Sequence, residues 1–186
     1  MGLLTCILLF IVGFGEPEPD VVSSAKWAVK IESDNFENLF KVCDDIYRSE
    51  QPSSAAMIEA QSLGIKSVFN LRTAHGDARH LKNSKLQALE YPIHTKGICY
   101  ADLVESLRVI REAKKPVLVH CWHGADRTSA IIAAYRLIEM KWTKEEAIAE
   151  IRNGGFGFHE DWFPNIIQLI EDLDVEKLKR DLNSPS

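Results

Sequence analysis

The run His120-Cys121-Trp122-His123-Gly124-Ala125-Asp126-Arg127-Thr128 sets a cysteine and an arginine with five residues between them, behind the apolar stretch Val117-Leu118-Val119 and ahead of a helical pattern. A strand that turns through a tight loop into a helix is a cradle for an anion. Successive backbone N–H groups point inward, and the helix N-terminus adds partial positive charge at the same place. Cysteine attacks as its thiolate, the form that a helix N-terminus and a nearby cation favour. Arg127 returns after one circuit of the loop, and its planar fork of donors fits two phosphoryl oxygens as a lysine would not. These residue types at this spacing describe attack by Cys121 on a phosphate monoester. Gly124 lets the backbone pass close to the anion, and the Thr128 hydroxyl is placed to donate to the sulfur as it departs. His120 is expected behind the loop, orienting it through a ring hydrogen bond. Trp122, His123, Gly124, Ala125, Asp126 and Arg127 are the expected phosphate-binding segment. The reaction needs no metal and no cofactor.

Each of these residues has a plainer reading. A lone cysteine is commonly inert packing, although here a glycine, an arginine and a helix accompany it. His120, Cys121 and His123 are types that suit zinc, but adjacent His120 and Cys121 are poorly placed to hold one ion, and no second ligand cluster follows at standard spacing. Sulfur transfer of the rhodanese kind also uses a cysteine in a loop before a helix, in a loop usually one residue shorter. A cradle that binds phosphorylated partners without turning them over is the remaining alternative. Arg72 is as readily an ion-pair partner after its strand as a substrate contact.

The surrounding pattern must position this loop. Trp27 to Ile31 reads as a short strand, and Leu39 to Val42 with Ile46 to Arg48 as a hairpin around Cys43-Asp44-Asp45. Ser53 or Ser54 caps a helix that runs to Leu63 and stops at Gly64, and Ile65 to Leu71 follows as a β-branched, buried run. Strand, helix, strand implies a crossover and a parallel sheet. Gly76 to Asn83 reads as a loop leading into a short helix at Ser84 to Leu89, with Tyr91 to His94 as a strand end. Leu103, Val104, Leu107, Ile110 and Arg111 recur at helical spacing behind Asp102, a carboxylate suited to a helix start. Helices are expected over Thr128 to Met140, over Lys144 to Asn153 behind the capping box Thr143-x-x-Glu146, and over Asp161 to Asp172. The expectation is one α/β domain over 26–175, with a central, mostly parallel sheet flanked by helices, and a tail over 176–186. Lys177, Lys179 and Arg180 read as a solvated helix end.

The 186 residues are 46% hydrophobic and 26% charged, the balance of a soluble globular protein with one sizeable core. A net charge of −5 and the lack of a basic run argue against nucleic acid as a partner. Residues 1–15 are nearly continuous in apolar residues from Leu3 to Val12, close on Gly13-Phe14-Gly15, and are shorter than the roughly 20 residues of a membrane span. We read them as a signal peptide, followed by an extended linker over 16–25, and expect an exported monomer; the alternatives are an N-terminal anchor or a cytoplasmic protein. The cysteines Cys6, Cys43, Cys99 and Cys121 have no paired metal spacing. In an exported chain Cys43 and Cys99 are the pair available for a disulfide.

His120, Cys121, Arg127 and Thr128 carry in full the signature of the protein tyrosine phosphatase superfamily: His-Cys, five residues, Arg, then Ser or Thr. The segments 46–53, 64–72 and 154–159 also resemble the compact bacterial dual-specificity phosphatases, so the likeness spans roughly Lys26 to Asp172. It implies a mostly parallel sheet flanked by helices. It also implies hydrolysis of phosphotyrosine, and by extension phosphoserine and phosphothreonine, through a phosphocysteine without metal. The sequence Asp126-Arg127-Thr128 is similar to the loop ending of myotubularin-like phosphoinositide phosphatases, so a phosphoinositide or inositol phosphate is the alternative substrate; the absence of a lysine in the loop weighs against it. The superfamily's general acid is commonly an aspartate on a separate loop before the nucleophile, and Ile93-His94-Thr95-Lys96-Gly97-Ile98 has no carboxylate there. Asp126, inside the loop, is the first candidate, Asp102 the second and His94 the third; an enzyme without a dedicated acid is the fourth possibility.

Overall fold

The computed structural model describes residues 26–184; the expected signal peptide, all of the linker and the last two residues lie outside it. Six strands form one sheet: β1 (Val29–Lys30), β2 (Phe40–Lys41), β3 (Ile46–Ser49), β4 (Ser67–Asn70), β5 (Gln87–Glu90) and β6 (Val117–His120), in the order β1-β2-β3-β6-β4-β5. β3, β6, β4 and β5 run parallel, and the hairpin of β2 on β3 with β1 outside it adds an antiparallel edge. The expected mixed, mostly parallel sheet is therefore the observed one.

The helices are α1 (Ser54–Ser62), α2 (Tyr100–Glu112), α3 (Asp126–Glu139), α4 (Lys144–Asn153), α5 (Pro164–Glu171) and α6 (Val175–Asn183). Alternation along the strands sorts side chains to two faces. Phe69, Val117 and Val119 point into the larger apolar cluster, built with α2 to α6. Val68 and Leu118 point into a smaller one with Ala56, Met57 and Ala60 of α1. Because both faces are covered, all four residues of β6 are buried, and Val117-Leu118-Val119 reads as the unbroken apolar run expected of a central parallel strand. α3 sits at the middle of the helical layer, with Ser129 to Ile138 all buried. Its Arg136 is wholly buried and forms an ion pair with Glu150 of α4 (Nη2 to Oε1, 2.5 Å).

Helix starts follow the capping residues. Ser53 Oγ accepts from Ala56 N–H (3.1 Å), and Thr143 with Glu146 closes a reciprocal capping box on α4. Four expectations need correction. Gln87–Glu90 is the edge strand β5 rather than part of a helix: although the local residues favour a helix, pairing with β4 (Phe69 opposite Leu89) decides the outcome. The α3 helix begins at Asp126 rather than Thr128, so its first turn carries both Asp126 and Arg127. α5 begins at Pro164, where proline needs no N–H partner, and Asp161 lies in the turn before it. The expected tail is helical through Asn183, because Leu178 and Leu182, one turn apart on α6, are buried in the larger cluster.

Candidate active site

β6 ends at His120, Cys121 follows it, and α3 begins at Asp126, so the loop lies at the carboxyl end of a central parallel strand, where open α/β sheets bind ligands. Neighbouring strands hold its ends. Leu71 N–H donates to the His120 carbonyl (3.0 Å) and Gln51 N–H to the Trp122 carbonyl (3.0 Å). Gly124 has φ +71°, and a Cβ there would stand 2.4 Å from the Ser49 carbonyl carbon and 2.6 Å from Glu50 N. Only glycine fits this crossing.

Two buried charged side chains brace the loop from behind. Arg48 on β3 is 1% exposed and donates through Nη2 to the Gly124 carbonyl and to Ser129 Oγ, each at 2.7 Å, with its guanidinium 3.4 Å from the Phe156 ring centre. Burial pushes its pKa down to about 9, against the charges of Glu150 and Cys121, so at neutral pH it stays a cation. Asp77 lies 2.8 Å from His120 Nε2, and both side chains are buried. Gln51 donates to Asp77 Oδ1 (2.7 Å) and accepts from Arg72 Nη1 (2.7 Å). Burial acts to raise the Asp77 carboxyl, but the hydrogen bond and charge of His120, aided by Gln51 and His80, outweigh it and hold the group below the usual carboxylate range. Neither Arg48 nor Asp77 stood out in the sequence as a site residue. Their partners are distant in the chain, and only the polar character of a strand residue and of a loop aspartate hinted at them.

At the loop itself, Cys121 is 1% exposed, while Trp122 and His123 stand out into solvent. Arg127 is half-buried, with Nη1 3.4 Å from the carbonyls of both Leu71 and Ile93. Among the described residues four buried side-chain nitrogen or oxygen atoms have no protein partner, and two of them are Arg127 Nε and Thr128 Oγ1. An orphaned buried donor is costly, and here two belong to consecutive residues in the first turn of α3. A cleft of about 280 Å³ lined by Arg72, Thr73, Ala74, His75, Trp122 and Arg127 opens beside them. The Arg72 guanidinium lies 4.1 Å over the Trp122 ring. Burial first, and then the charge of Arg127, lowers the Arg72 pKa, as expected of two cations facing one small space.

The three acid candidates occupy different settings. The Asp126 carboxylate, 8% exposed, accepts the His159 backbone N–H at Oδ1 (3.1 Å), and its oxygens lie 3.0 and 3.1 Å from His159 Nδ1. Asp102 sits in the first turn of α2, where its Oδ2 accepts the Cys99 N–H (2.8 Å). His94 is exposed and follows Ile93, whose carbonyl is one of the two that Arg127 approaches. His120, Cys121 and His123 do not converge as zinc ligands: the two ring nitrogens of His120 face Asp77 and the Cys121 carbonyl. Cys43, Cys99 and Cys121 are all free thiols, so Cys43 and Cys99 are not paired.

The profile of the dual specificity phosphatase catalytic domain matches residues 46–173. Dual specificity protein phosphatase TpbA of Pseudomonas aeruginosa is 31% identical over 164 residues, covering 87% of this chain and 73% of that protein. The crystal structure of P. aeruginosa TpbA superposes with a TM-score of 0.78 at 29% identity, over 87% of this chain and 99% of that one, and a second structure holds a cysteine-to-serine form in complex with phosphotyrosine. An inositol diphosphatase of Arabidopsis thaliana is 25% identical over 163 residues, 79% of this chain and 74% of that protein. With the profile matched over residues 46–173 and a relative 31% identical across 87% of its length, the chain belongs to the dual specificity phosphatase family of cysteine-dependent phosphatases.

Proposed function

We propose that the chain hydrolyses phosphotyrosine, and with it phosphoserine and phosphothreonine, through a phosphocysteine on Cys121. The observation that carries this reading is the pair of unpartnered donors, Arg127 Nε and Thr128 Oγ1, in a loop whose glycine admits no side chain. In the first step the Cys121 thiolate attacks phosphorus, the P–O bond to the leaving group breaks, and that oxygen takes a proton. Arg127 follows the equatorial oxygens, and the amides of Trp122 to Arg127 complete their shell. In the second step water attacks the phosphorus of the thiophosphate, the P–S bond breaks, and inorganic phosphate leaves as Thr128 donates to the returning thiolate. Trp122, 53% exposed at the rim, offers an aromatic wall to an aryl leaving group.

For the proton donor we assign His94, on the segment next to the Ile93 carbonyl that Arg127 approaches. Asp126 accepts from His159 and Asp102 from the N–H of Cys99 at the start of α2, and to each we assign a positioning role. Assay with phosphotyrosine peptide tests the main reading: turnover that Cys121→Ser abolishes is expected. Tight phosphopeptide binding without turnover in the unmodified protein would replace the enzyme with a binding module.

One observation favours a second substrate class. Arg72 supplies, from outside the loop, the additional cation beside Arg127 that a multiply anionic inositol phosphate would require, and Arg79 and His80 line the adjoining cleft with it. Comparing kcat/KM on phosphotyrosine peptide and on an inositol polyphosphate decides between them; a hundredfold preference for the latter would overturn the first reading. Residues 1–15 we take as an export signal, which N-terminal sequencing of protein from its native host tests: a mature start near Gly15 or Glu16 is expected.

A further inference from the structure

We propose that His123, Asp126 and His159 form a binding site for one divalent transition metal ion of the zinc type. One donor atom from each lies within 4.8 Å of the other two. A tetrahedral zinc ion with bonds near 2.0–2.1 Å spaces its ligands about 3.3 Å apart. The 3.0 and 3.1 Å separations between His159 Nδ1 and the Asp126 oxygens are already within a few tenths of that value, with a proton where the ion would sit. His123 supplies the third ligand by a small swing of an exposed ring whose centre is 5.3 Å from that of His159. Two imidazoles and one carboxylate are a donor set that suits zinc and its neighbours and not calcium or magnesium.

The surroundings hold the three residues in place. Asn38 Nδ2 donates to the carbonyls of His123 (2.8 Å) and Phe156 (3.0 Å), fixing the backbone of both segments that supply the histidines. The His159 ring stacks on Trp162, with centres 5.4 Å apart and planes 15° from parallel, and Arg152 holds Glu160 beside it through a forked ion pair. A cleft of about 470 Å³, lined in part by His123, His159, Glu37 and Glu50, leaves a fourth coordination position open to water. Bound there, the ion would join the 154–163 loop to the first turn of α3 in place of the His159–Asp126 hydrogen bond, next to the phosphate cradle but made of different donors.

Chelator-treated Cys121→Ser protein, from which the competing thiolate is gone, is titrated with Zn²⁺ by calorimetry and with Co²⁺ by visible absorption. One saturable equivalent is expected, with cobalt d–d bands and no sulfur charge-transfer band. Adding His123→Gln, an exposed change, or His159→Gln, which keeps a donor for Asp126, should weaken it at least tenfold while circular dichroism stays unchanged. No saturable equivalent in Cys121→Ser, or binding undiminished in both histidine variants, overturns the proposal.

Discussion

His120 Nε2 and Asp77 Oδ2 lie 2.8 Å apart with both side chains excluded from solvent, so the residue before the nucleophile is fixed by a carboxylate from the loop that precedes β5. Asp77→Asn should therefore cost about 1–3 kcal/mol at neutral pH. The folded carboxyl is held below its usual range, so its contribution is fully present above the unfolded pKa of about 4 and is lost as pH falls through the lower native value. Urea midpoints measured from pH 7 downward check this: the gap between the parent protein and Asp77→Asn should narrow only on the acid side of pH 4. A gap that is constant with pH would mean that the ionised carboxylate is not what holds His120.

Gly124→Ala places a Cβ against β3 backbone that cannot retreat, 2.4 Å from the Ser49 carbonyl carbon, at a φ of +71°. We expect at least a hundredfold loss of turnover and a lowered melting temperature. Gly155→Ala is the control, because φ there is +80° but nothing stands within 4 Å of its Cβ. That change should cost about 1–2 kcal/mol of backbone strain and leave turnover within a fewfold of the parent. Equal losses in the two variants would show that strain, rather than the close approach to β3, sets the effect.

These contacts also mark the limit of what the sequence discloses. The strand, loop and helix around Cys121 are legible because a fully apolar run, a glycine, an arginine and a helical repeat follow one another within a few residues, and Ser53 and Thr143 announce their helices locally. β5 is not legible: Gln87 and Glu90 lie on an edge with alternating exposure, and the strand exists because β4 is beside it. α6 shows in the sequence only as a charged, solvated helix end, since Leu178 and Leu182 are its only buried residues. Arg48 and Asp77 reach the loop from distant parts of the chain, and no local pattern announces a partner brought near by the fold. The acid candidates show the same limit in reverse, because chain position ranked Asp126 first and its contact with His159 became visible only in three dimensions.

Cys121 should react with iodoacetate ahead of Cys99, even though Cys121 is 1% exposed and Cys99 lies at the surface. The reagent is an anion of nearly the right size for the loop, and the thiolate is the reactive form. Inorganic phosphate or vanadate should protect Cys121 and leave the rate at Cys99 unchanged. Peptide mapping after partial alkylation reads the order directly. Faster labelling of Cys99, or labelling of Cys121 indifferent to vanadate, would mean that the loop amides and Arg127 do not form an anion site.

Arg48→Met should be among the most damaging single changes outside the loop. It removes a buried cation that satisfies the Gly124 carbonyl and Ser129 Oγ and packs on Phe156. The two stranded acceptors and the lost packing should together cost about 3 kcal/mol or more, read as a shift in the denaturant midpoint. Turnover of the remaining folded protein should fall with it, since the Gly124 carbonyl sets the path of the loop. Full activity at unchanged stability would show that the β3 backbone alone suffices to hold the loop.

The division of labour between His94 and Asp126 is separable by leaving group. A proton donor matters most when the departing oxygen is a poor leaving group, as in an alkyl or tyrosyl phosphate, and little for an activated aryl phosphate that departs as a stable anion. His94→Asn should therefore slow phosphotyrosine turnover by about 10²-fold or more, the usual range for general acid catalysis, while barely changing the rate on a nitrophenyl phosphate. Asp126→Asn should behave otherwise. Its carboxylate orders the 154–163 loop through the His159 N–H and ring, so its loss should slow both substrate classes alike and weaken vanadate binding. His159→Gln, which retains a side-chain donor toward Asp126, should recover part of what His159→Ala loses, because the contact positions the loop and is not itself part of proton transfer. If Asp126→Asn instead shows the steep leaving-group dependence and His94→Asn does not, the acid is the loop aspartate, and the His159 contact must open before each turnover.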